Sequence, residues 1–172
     1  MVEAVSKRVI HTRADFDWLD ILHFSAQVLT HIAEGIRRGC TLYTDTTMAM
    51  SGINKVLLKQ MGCECRCYIS DPRVVESAPR QGITRSMAAV DVALAESGEK
   101  LFVFGNAPTA LFRLLERHAT PIAVIGVPVG FVGAAESKDA LVASDLPCIA
   151  ALGRKGGSNV AAAIINVILY QL

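Results

Sequence analysis

Short apolar runs alternate with longer segments of helical periodicity along most of this 172-residue chain. The runs have the length of buried strands, and each ends in a polar or glycine-containing turn. They predict five strands: Thr41–Thr44, Cys65–Ile69, Leu101–Phe104, Pro121–Ile125 and Pro147–Ala151. Apolar residues spaced three and four apart predict the main helices: Val2–His11, Ser25–Arg38, Arg85–Glu96, Ala110–His118 and Ser158–Leu172.

This alternation of strands and helices is typical of a parallel sheet covered by helices on both faces. We therefore expect an α/β fold, a three-layer α/β/α arrangement around a five-stranded, mainly parallel sheet. The chain shows no internal repeat and no linker, and its length suits one domain. Residues 1–172 are accordingly predicted to form a single domain.

Polar residues next to the periodic segments predict where helices begin. Ser25 and Thr84 are predicted N-caps, because a hydroxyl oxygen can accept a hydrogen bond from the first turn. Asp45 follows the first strand and is predicted to cap a short helix that reaches about Met50. Residues 15–22 are predicted to form a connector with a short turn.

The segment Leu101–Lys138 predicts a strand, a turn, a helix, a second strand and a glycine-rich loop that leads into another helix. In a parallel sheet such loops meet at the carboxyl edge, where ligands bind. Four loops are predicted at this edge: Thr44–Asp45, Gly105–Asn106, Gly130–Lys138 and Gly153–Ser158. Four basic residues lie near them in the sequence: Arg85, Lys138, Arg154 and Lys155.

Helix N-termini together with fixed cations suit a ligand that carries several carboxylates or phosphates. The alternative interpretation is that the glycines only form tight turns and the cations are solvated. A triphosphate site is not indicated, because the chain has no G-x-x-x-x-G-K-[ST] motif. A dinucleotide site is only weakly indicated, since no G-x-G-x-x-G opens the first strand-to-helix turn.

Composition limits the classes of function. Hydrophobic residues are 52% of the chain, charged residues are 19%, and the mean hydropathy is +0.39, which favours strands buried on both faces and an oligomer interface. A net charge of +1 argues against nucleic-acid binding. No apolar run is long enough for a membrane span and the N-terminus has no apolar leader, so a cytoplasmic protein is expected.

Five cysteines are an odd number, and three of them alternate along the approach to the second predicted strand and the strand itself: Cys63, Cys65 and Cys67. We interpret them as reduced cysteines that fill a buried strand and its approach. A zinc site is the alternative, but such sites more often use a C-x-x-C pair on a turn. We therefore predict no metal site.

Candidate catalytic groups are few. The chain has no nucleophile elbow, no paired catalytic carboxylates and no histidine spacing typical of metal sites. Among four histidines, His11 ends the first predicted helix just before a polar turn, and imidazole is the side chain best suited to move a proton near neutral pH. What remains is a binding pocket with one acid, which suits a rearrangement in which the substrate supplies most of the reactivity.

Two central segments resemble a known family. Phe104–Phe112 and Gly126–Lys138 closely resemble the precorrin-8X methylmutase (precorrin isomerase) family of corrin biosynthesis. Supporting matches are Thr84–Ser86, Asp71–Arg73, Asp45 with Met48, Gly153–Arg154 and Gly156–Ser158. The resemblance covers nearly the whole chain.

The resemblance implies a homodimeric α/β enzyme whose active sites lie near the subunit interface. Family members move a methyl group between neighbouring carbons of ring C of the macrocycle. Their product is hydrogenobyrinic acid, or cobyrinic acid when the substrate carries cobalt, and no added cofactor is used. A histidine protonates the ring system in a proposed sigmatropic shift, and His11 resembles that residue.

The resemblance also implies a corrinoid polycarboxylate as the small-molecule substrate. Arg85 is our choice for a carboxylate clamp, because its planar guanidinium matches that group with two hydrogen bonds. The other expected substrate-binding residues are Asp45, Thr84, Asn106, Lys138, Gly157 and Ser158. Asp45 either holds a helix or contacts the macrocycle, and Lys138 belongs to a motif that is either conformational or faces the ligand.

One departure leaves a second hypothesis open. The chain begins within the helix that carries His11, whereas family members carry a further segment before it, so that segment is expected to be missing. The residues after His11 also differ from the family's glycine-containing turn. The alternative function is therefore a non-catalytic or repurposed tetrapyrrole-binding relative, and a nucleotide-binding domain is a weaker third hypothesis.

Overall fold

The computed structural model describes residues 1–172. It contains six strands: β1 (Leu22–Phe24), β2 (Thr41–Thr44), β3 (Glu64–Arg66), β4 (Lys100–Phe104), β5 (Ala123–Gly126) and β6 (Cys148–Ala151). Ten helices surround them: α1 (Val2–Arg13), α2 (Trp18–Ile21), α3 (Val28–Arg37), α4 (Thr47–Gly52), α5 (Lys55–Gln60), α6 (Pro72–Gln81), α7 (Arg85–Ala95), α8 (Pro108–Glu116), α9 (Ala134–Ala143) and α10 (Ser158–Tyr170).

The strands form one sheet in the order β1-β6-β5-β4-β2-β3. All neighbours are parallel except β1, which pairs antiparallel with β6. The α/β, mainly parallel fold predicted from the pattern is therefore confirmed, but the predicted count of five strands is wrong. The sixth strand is the three-residue Leu22–Phe24, which lies within and just beyond the predicted connector. It is too short to show a period, and its partner strand lies more than 120 residues away in the sequence.

Helices cover both faces of the sheet. On one face α10 packs against the sheet and is itself covered by α1 and α4, with α3 and α5 beside them. This double burial explains why α10 is apolar on nearly all sides. The opposite face carries α7, α8 and α9, with α6 packed on α7. None of the ten helices has both the length and the apolar character that crossing a bilayer would require.

Two predicted helix caps are wrong and one is confirmed. Thr84 caps α7 by accepting a hydrogen bond from the Met87 N–H at 3.2 Å. Ser25 instead continues the pairing of β1 with β6, because its Oγ accepts from the Cys148 N–H at 2.8 Å. Asp45 does not cap α4, because the neighbouring Thr46 accepts the hydrogen bond from the Ala49 N–H.

The sheet has a point at which the direction of chain travel reverses. From β2 the chain moves outward to β3, whereas from β4 it moves the other way, to β5 and β6. The carboxyl ends of β2 and β4, which are neighbours, therefore border the crevice where ligands of such sheets are bound. Asp45 follows β2 directly and Gly105 follows β4 directly, so both lie at this crevice. We call the loops at the carboxyl ends of β2, β4, β5 and β6 the rim.

Candidate active site

Asp45 holds the turn between β4 and α8. Its Oδ1 accepts from the Gly105 N–H at 2.9 Å, and its Oδ2 accepts from the N–H groups of Asn106 at 2.8 Å and Ala107 at 2.7 Å. The carboxyl is almost fully buried, and burial raises its pKa while the three N–H donors act in the opposite direction. Through these three hydrogen bonds the Asp45 carboxylate fixes the shape of the turn between β4 and α8, which is part of the rim. Whether it also contacts the macrocycle stays a prediction.

Asn106 lies at the exposed end of this turn. Its backbone N–H is occupied by Asp45, so the donor that it can offer outward is the side-chain amide. The predicted role of Asn106 as a hydrogen-bond donor to substrate is therefore retained for the side chain and not for the backbone.

The start of α10 packs directly on the same turn. A Cβ atom at Gly105 would lie 2.6 Å from the Cα of Ser158, so only glycine permits this approach. The Ser158 hydroxyl lies 2.7 Å from the Thr46 hydroxyl, which links α10 to the end of β2. The Gly157 N–H donates to the Val127 carbonyl at 2.9 Å, so the outward donors at this helix start are backbone N–H groups of its first turn.

Three of the four helices that begin at the rim lack side-chain caps. The fourth, α4, is capped by Thr46. Away from these loops α5, α6 and α7 are capped by Asn54, Asp71 and Thr84, while α1, α2 and α3 have no side-chain cap bond.

At the rim α8, α9 and α10 begin at Ala107, Gly133 and Gly157 with no side-chain cap bond. Some N–H groups at these starts are already used, since Ala107 donates to Asp45 and Val160 donates to the Asn159 Oδ1, and Pro108 has none. The remaining first-turn N–H groups and the positive dipole ends are available for anions.

Thr84 and Arg85 bring the start of α7 to the edge of this group. The Thr84 hydroxyl lies 3.4 Å from the hydroxyl of Thr109 in the first turn of α8. Arg85 is exposed, and its guanidinium makes no ion pair or hydrogen bond within the chain. The residue predicted to bind a carboxylate is thus a cation without a partner in the chain, and it lies beside the uncapped helix starts.

Lys138 is placed differently from the other predicted binding residues. It has no exposed surface, and its Nζ donates to the backbone carbonyl of Lys155 at 2.9 Å. Burial lowers the pKa of this ammonium to about 8. In this position Lys138 stabilises the loop before α10 by its hydrogen bond to Lys155. Direct contact with substrate stays a prediction.

Exchanging Lys138 for methionine should change how stability depends on pH. Because the pKa of Lys138 is about 8 in the folded chain against 10.5 for the free side chain, the unfolded chain binds more protons between these values. The free energy of unfolding of the natural chain should therefore rise, relative to Lys138→Met, by roughly 2 kcal/mol as pH increases from 7.5 to 10. Urea unfolding at pH 7.5 and pH 10 measures this difference.

The matched control is Lys59→Met, because Lys59 is an exposed lysine on α5 without an acidic partner. Its stability should follow the natural chain at both pH values. Equal pH dependence in all three proteins would contradict a depressed pKa for Lys138.

His11 lies in a surface groove that contains none of the rim donors. It is exposed in this shallow groove between α1 and α10, which is lined by Ala4, Lys7, Arg8, His11 and Val167. The end of α1 is nevertheless tied to the rim, because the Lys155 ammonium contacts Asp15 at 2.5 Å and Asp17 at 2.8 Å.

Sequence reasoning missed two contributors to the rim. Thr46 both caps α4 and contacts Ser158, and only its position after the strand and before a helical segment could have indicated it. Phe131 stands at the tip of the loop between β5 and α9, 85% exposed. An aromatic residue between two glycines, Gly130 and Gly133, is the signal that could have marked it.

Taken together, the geometry defines an α/β protein whose carboxyl rim is suited to an anionic ligand. Comparison with known proteins narrows this class. The family described as precorrin-8X methylmutase matches residues 1–171. A cobalt-precorrin-8 methylmutase of Salmonella typhimurium is 70% identical over 171 residues, which are 99% of this chain and 81% of that protein.

More distant relatives also carry methylmutase names. A cobalt-precorrin-8 methylmutase of Leptospira interrogans is 37% identical across 96% of this chain and 80% of its own length. A solved precorrin-8X methylmutase related protein superimposes with a TM-score of 0.91 at 30% identity, covering 99% of this chain and 92% of that one. The chain belongs to the precorrin-8X methylmutase family. It is an isomerase, a methylmutase of cobalamin biosynthesis.

Proposed function

We propose that this isomerase acts on the cobalt-bearing substrate, cobalt-precorrin-8, and moves a methyl group between adjacent carbons of ring C to give cobyrinic acid. The observation that carries the choice of substrate is the 70% identity to a relative that is named for the cobalt form. Cobalt enters as part of the substrate, and the chain itself is proposed to need no added cofactor.

The rim offers helix N-termini and a basic side chain, which are groups that bind carboxylates. Peripheral carboxylates of the macrocycle are proposed to lie at the uncapped starts of α8, α9 and α10, where N–H groups and dipoles favour negative charge. Arg85 is proposed to bind one carboxylate through two hydrogen bonds. Thr84 and the Asn106 amide line the same edge, while Asp45, Gly157 and Ser158 hold the turn and the α10 start in register.

His11 is proposed to be the general acid. Protonation of the conjugated ring system makes the carbon next to the methyl-bearing centre electron-poor, so the methyl group can migrate with its bonding electrons. Substrate and product have the same composition, so the proton must return when the product's conjugated system forms. One imidazole can give and take that proton, which agrees with the lack of any other candidate acid–base pair at the rim.

A homodimer is proposed because His11 opens on a surface groove that contains none of the rim donors of its own chain. Apposition of two chains, with the α1–α10 groove of one over the rim of the other, would bring the acid to the bound macrocycle. A cytoplasmic location is also proposed, since all five cysteines are unpaired thiols, as is usual in a reducing compartment.

The purified chain should convert cobalt-precorrin-8 to cobyrinic acid without any added cofactor. Methyl migration changes the conjugated system, so the visible spectrum should shift with time, and extraction should return the isomer with an unchanged mass. Heat-denatured protein is the control. A stable spectrum of a bound complex from which unaltered substrate is recovered would contradict the isomerase and favour the non-catalytic, tetrapyrrole-binding alternative.

A further inference from the structure

The loop between β5 and α9 ends in an exposed apolar tip beside the site. Phe131 is 85% exposed and Val132 is 89% exposed. Large apolar side chains in this state, next to a binding site, indicate a surface that is covered when a ligand or partner is bound.

The base of this loop is fixed to the rim. The Val129 N–H donates to the Gly105 carbonyl at 3.3 Å, and the Gly130 N–H donates to the Arg154 carbonyl at 3.1 Å. The backbone reverses at Gly130 with φ +147° and at Gly133 with φ +78°, values that favour glycine. These bonds hold the tip beside both the turn after β4 and the loop before α10.

Arg154 lies beside the exposed ring of Phe131. Its guanidinium carbon lies 5.4 Å from the centroid of Phe131, within the range of a cation–π contact. Arg154 is itself exposed and has no acidic partner, whereas the adjacent Lys155 is neutralised by Asp15 and Asp17. The rim therefore presents the Phe131 ring and the Arg154 guanidinium, which has no acidic partner, as a pair.

We propose that Phe131 and Arg154 form a paired contact for the macrocycle, with the ring against its conjugated face and the guanidinium on a peripheral carboxylate. A flat, apolar surface edged with carboxylates is the ligand chemistry that such a pair matches, since aromatic rings stack on flat π-systems and arginine binds carboxylates in a plane. The proposal rests on the proposed function and adds two binding residues to the same site.

The test measures binding of the product, cobyrinic acid, by its visible absorbance and by steady-state kinetics on the full chain. Phe131→Ala should weaken the Kd about tenfold, while Phe131→Trp, which keeps a stacking ring, should bind as the natural chain does. KM should rise more than kcat falls, because the contact is made in the ground state and the transition state alike. Tyr170→Ala, which removes a 58% exposed ring at the end of α10 that is far from its start at the rim, is the matched control.

Arg154 is tested in a double-mutant cycle. Arg154→Gln should weaken binding and reduce its dependence on salt, and Arg154→Lys should restore only part of the loss. Because the ring supports the guanidinium, the losses from Phe131→Ala and Arg154→Gln should not add. Additive losses would contradict a paired contact.

An unchanged Kd in Phe131→Ala, or an equal loss in Tyr170→Ala, would also overturn the proposal. The sedimentation coefficient is measured as well, to detect an unchanged Kd that comes with a changed sedimentation coefficient. That result would assign Phe131 to a contact between copies of the chain. If the natural chain and Phe131→Ala bind and convert substrate equally well, only the proposed contact of Phe131 and Arg154 with the macrocycle fails. If the natural chain binds no corrinoid, the proposed function fails with it.

Discussion

Replacing His11 by alanine is expected to lower turnover about 10²- to 10⁴-fold, which is the usual contribution of one positioned general acid. Product binding should change little, because the groups proposed to bind carboxylates lie at the rim and do not line the groove that contains His11. His11 is exposed, so the fold should be preserved. Single-turnover kinetics and product titration separate the two effects. His31→Ala on α3, near the amino ends of the strands, is the control and should turn over normally.

Mixing variants shows whether the acid acts within one chain or across a dimer. Protomers carrying His11→Ala can be mixed with protomers carrying Arg85→Ala, both nearly inactive alone. If His11 serves the partner's rim, each hybrid dimer has one intact site, and random exchange should restore about a quarter of the natural activity. If His11 serves its own rim, mixing restores nothing. Full activity of His11→Ala alone would remove the assigned acid altogether.

Replacing Asp45 by alanine is expected to destabilise the fold by roughly 3 kcal/mol, because the three N–H groups that it accepts from would lose their partner, two of them in buried residues. Asp45→Asn should recover part of this loss, since the amide keeps one acceptor oxygen but places donors opposite another N–H. The free energy of urea unfolding at neutral pH measures both.

The matched control is Asp145→Ala, which removes an exposed carboxylate without an ion pair and should alter stability by less than about 0.5 kcal/mol. An Asp45→Ala protein as stable as the Asp145→Ala protein would show that the turn after β4 holds its shape without the carboxylate. The buried charge under the rim would then have no structural role.

The strands could be predicted wherever a continuous apolar run is buried on both faces. β2 matches its predicted bounds, and β4, β5 and β6 begin or end within two residues of theirs. β1 could not be predicted, because three residues show no period and its stability comes from pairing with β6. The predicted cap at Ser25 was wrong for the same reason, since its hydroxyl serves the distant Cys148 N–H.

The position of the rim could also be predicted, but the contacts of its residues only in part. The carboxyl ends of parallel strands lie at one edge of a sheet, so Asp45 and Gly105 were expected at the same edge. The three hydrogen bonds that occupy Asp45 join residues 60 to 62 positions apart, which no local pattern reveals. Lys138 belongs to a motif that suggests a ligand-facing cation, and only packing shows that its ammonium is buried beneath the loop.

By itself the sequence determined the alternation of elements, the parallel sheet and the family, because periodicity and motif residues are properties of neighbours along the chain. The tertiary structure alone decided which polar groups are occupied and which remain available. Asp45 and Lys138 are used inside the protein, while Arg85 and Arg154 are left without an acidic partner and three helix starts without a side-chain cap. Hydrogen bonds and burial depend on distances between residues far apart in sequence, so availability for a ligand becomes visible only once the chain has folded.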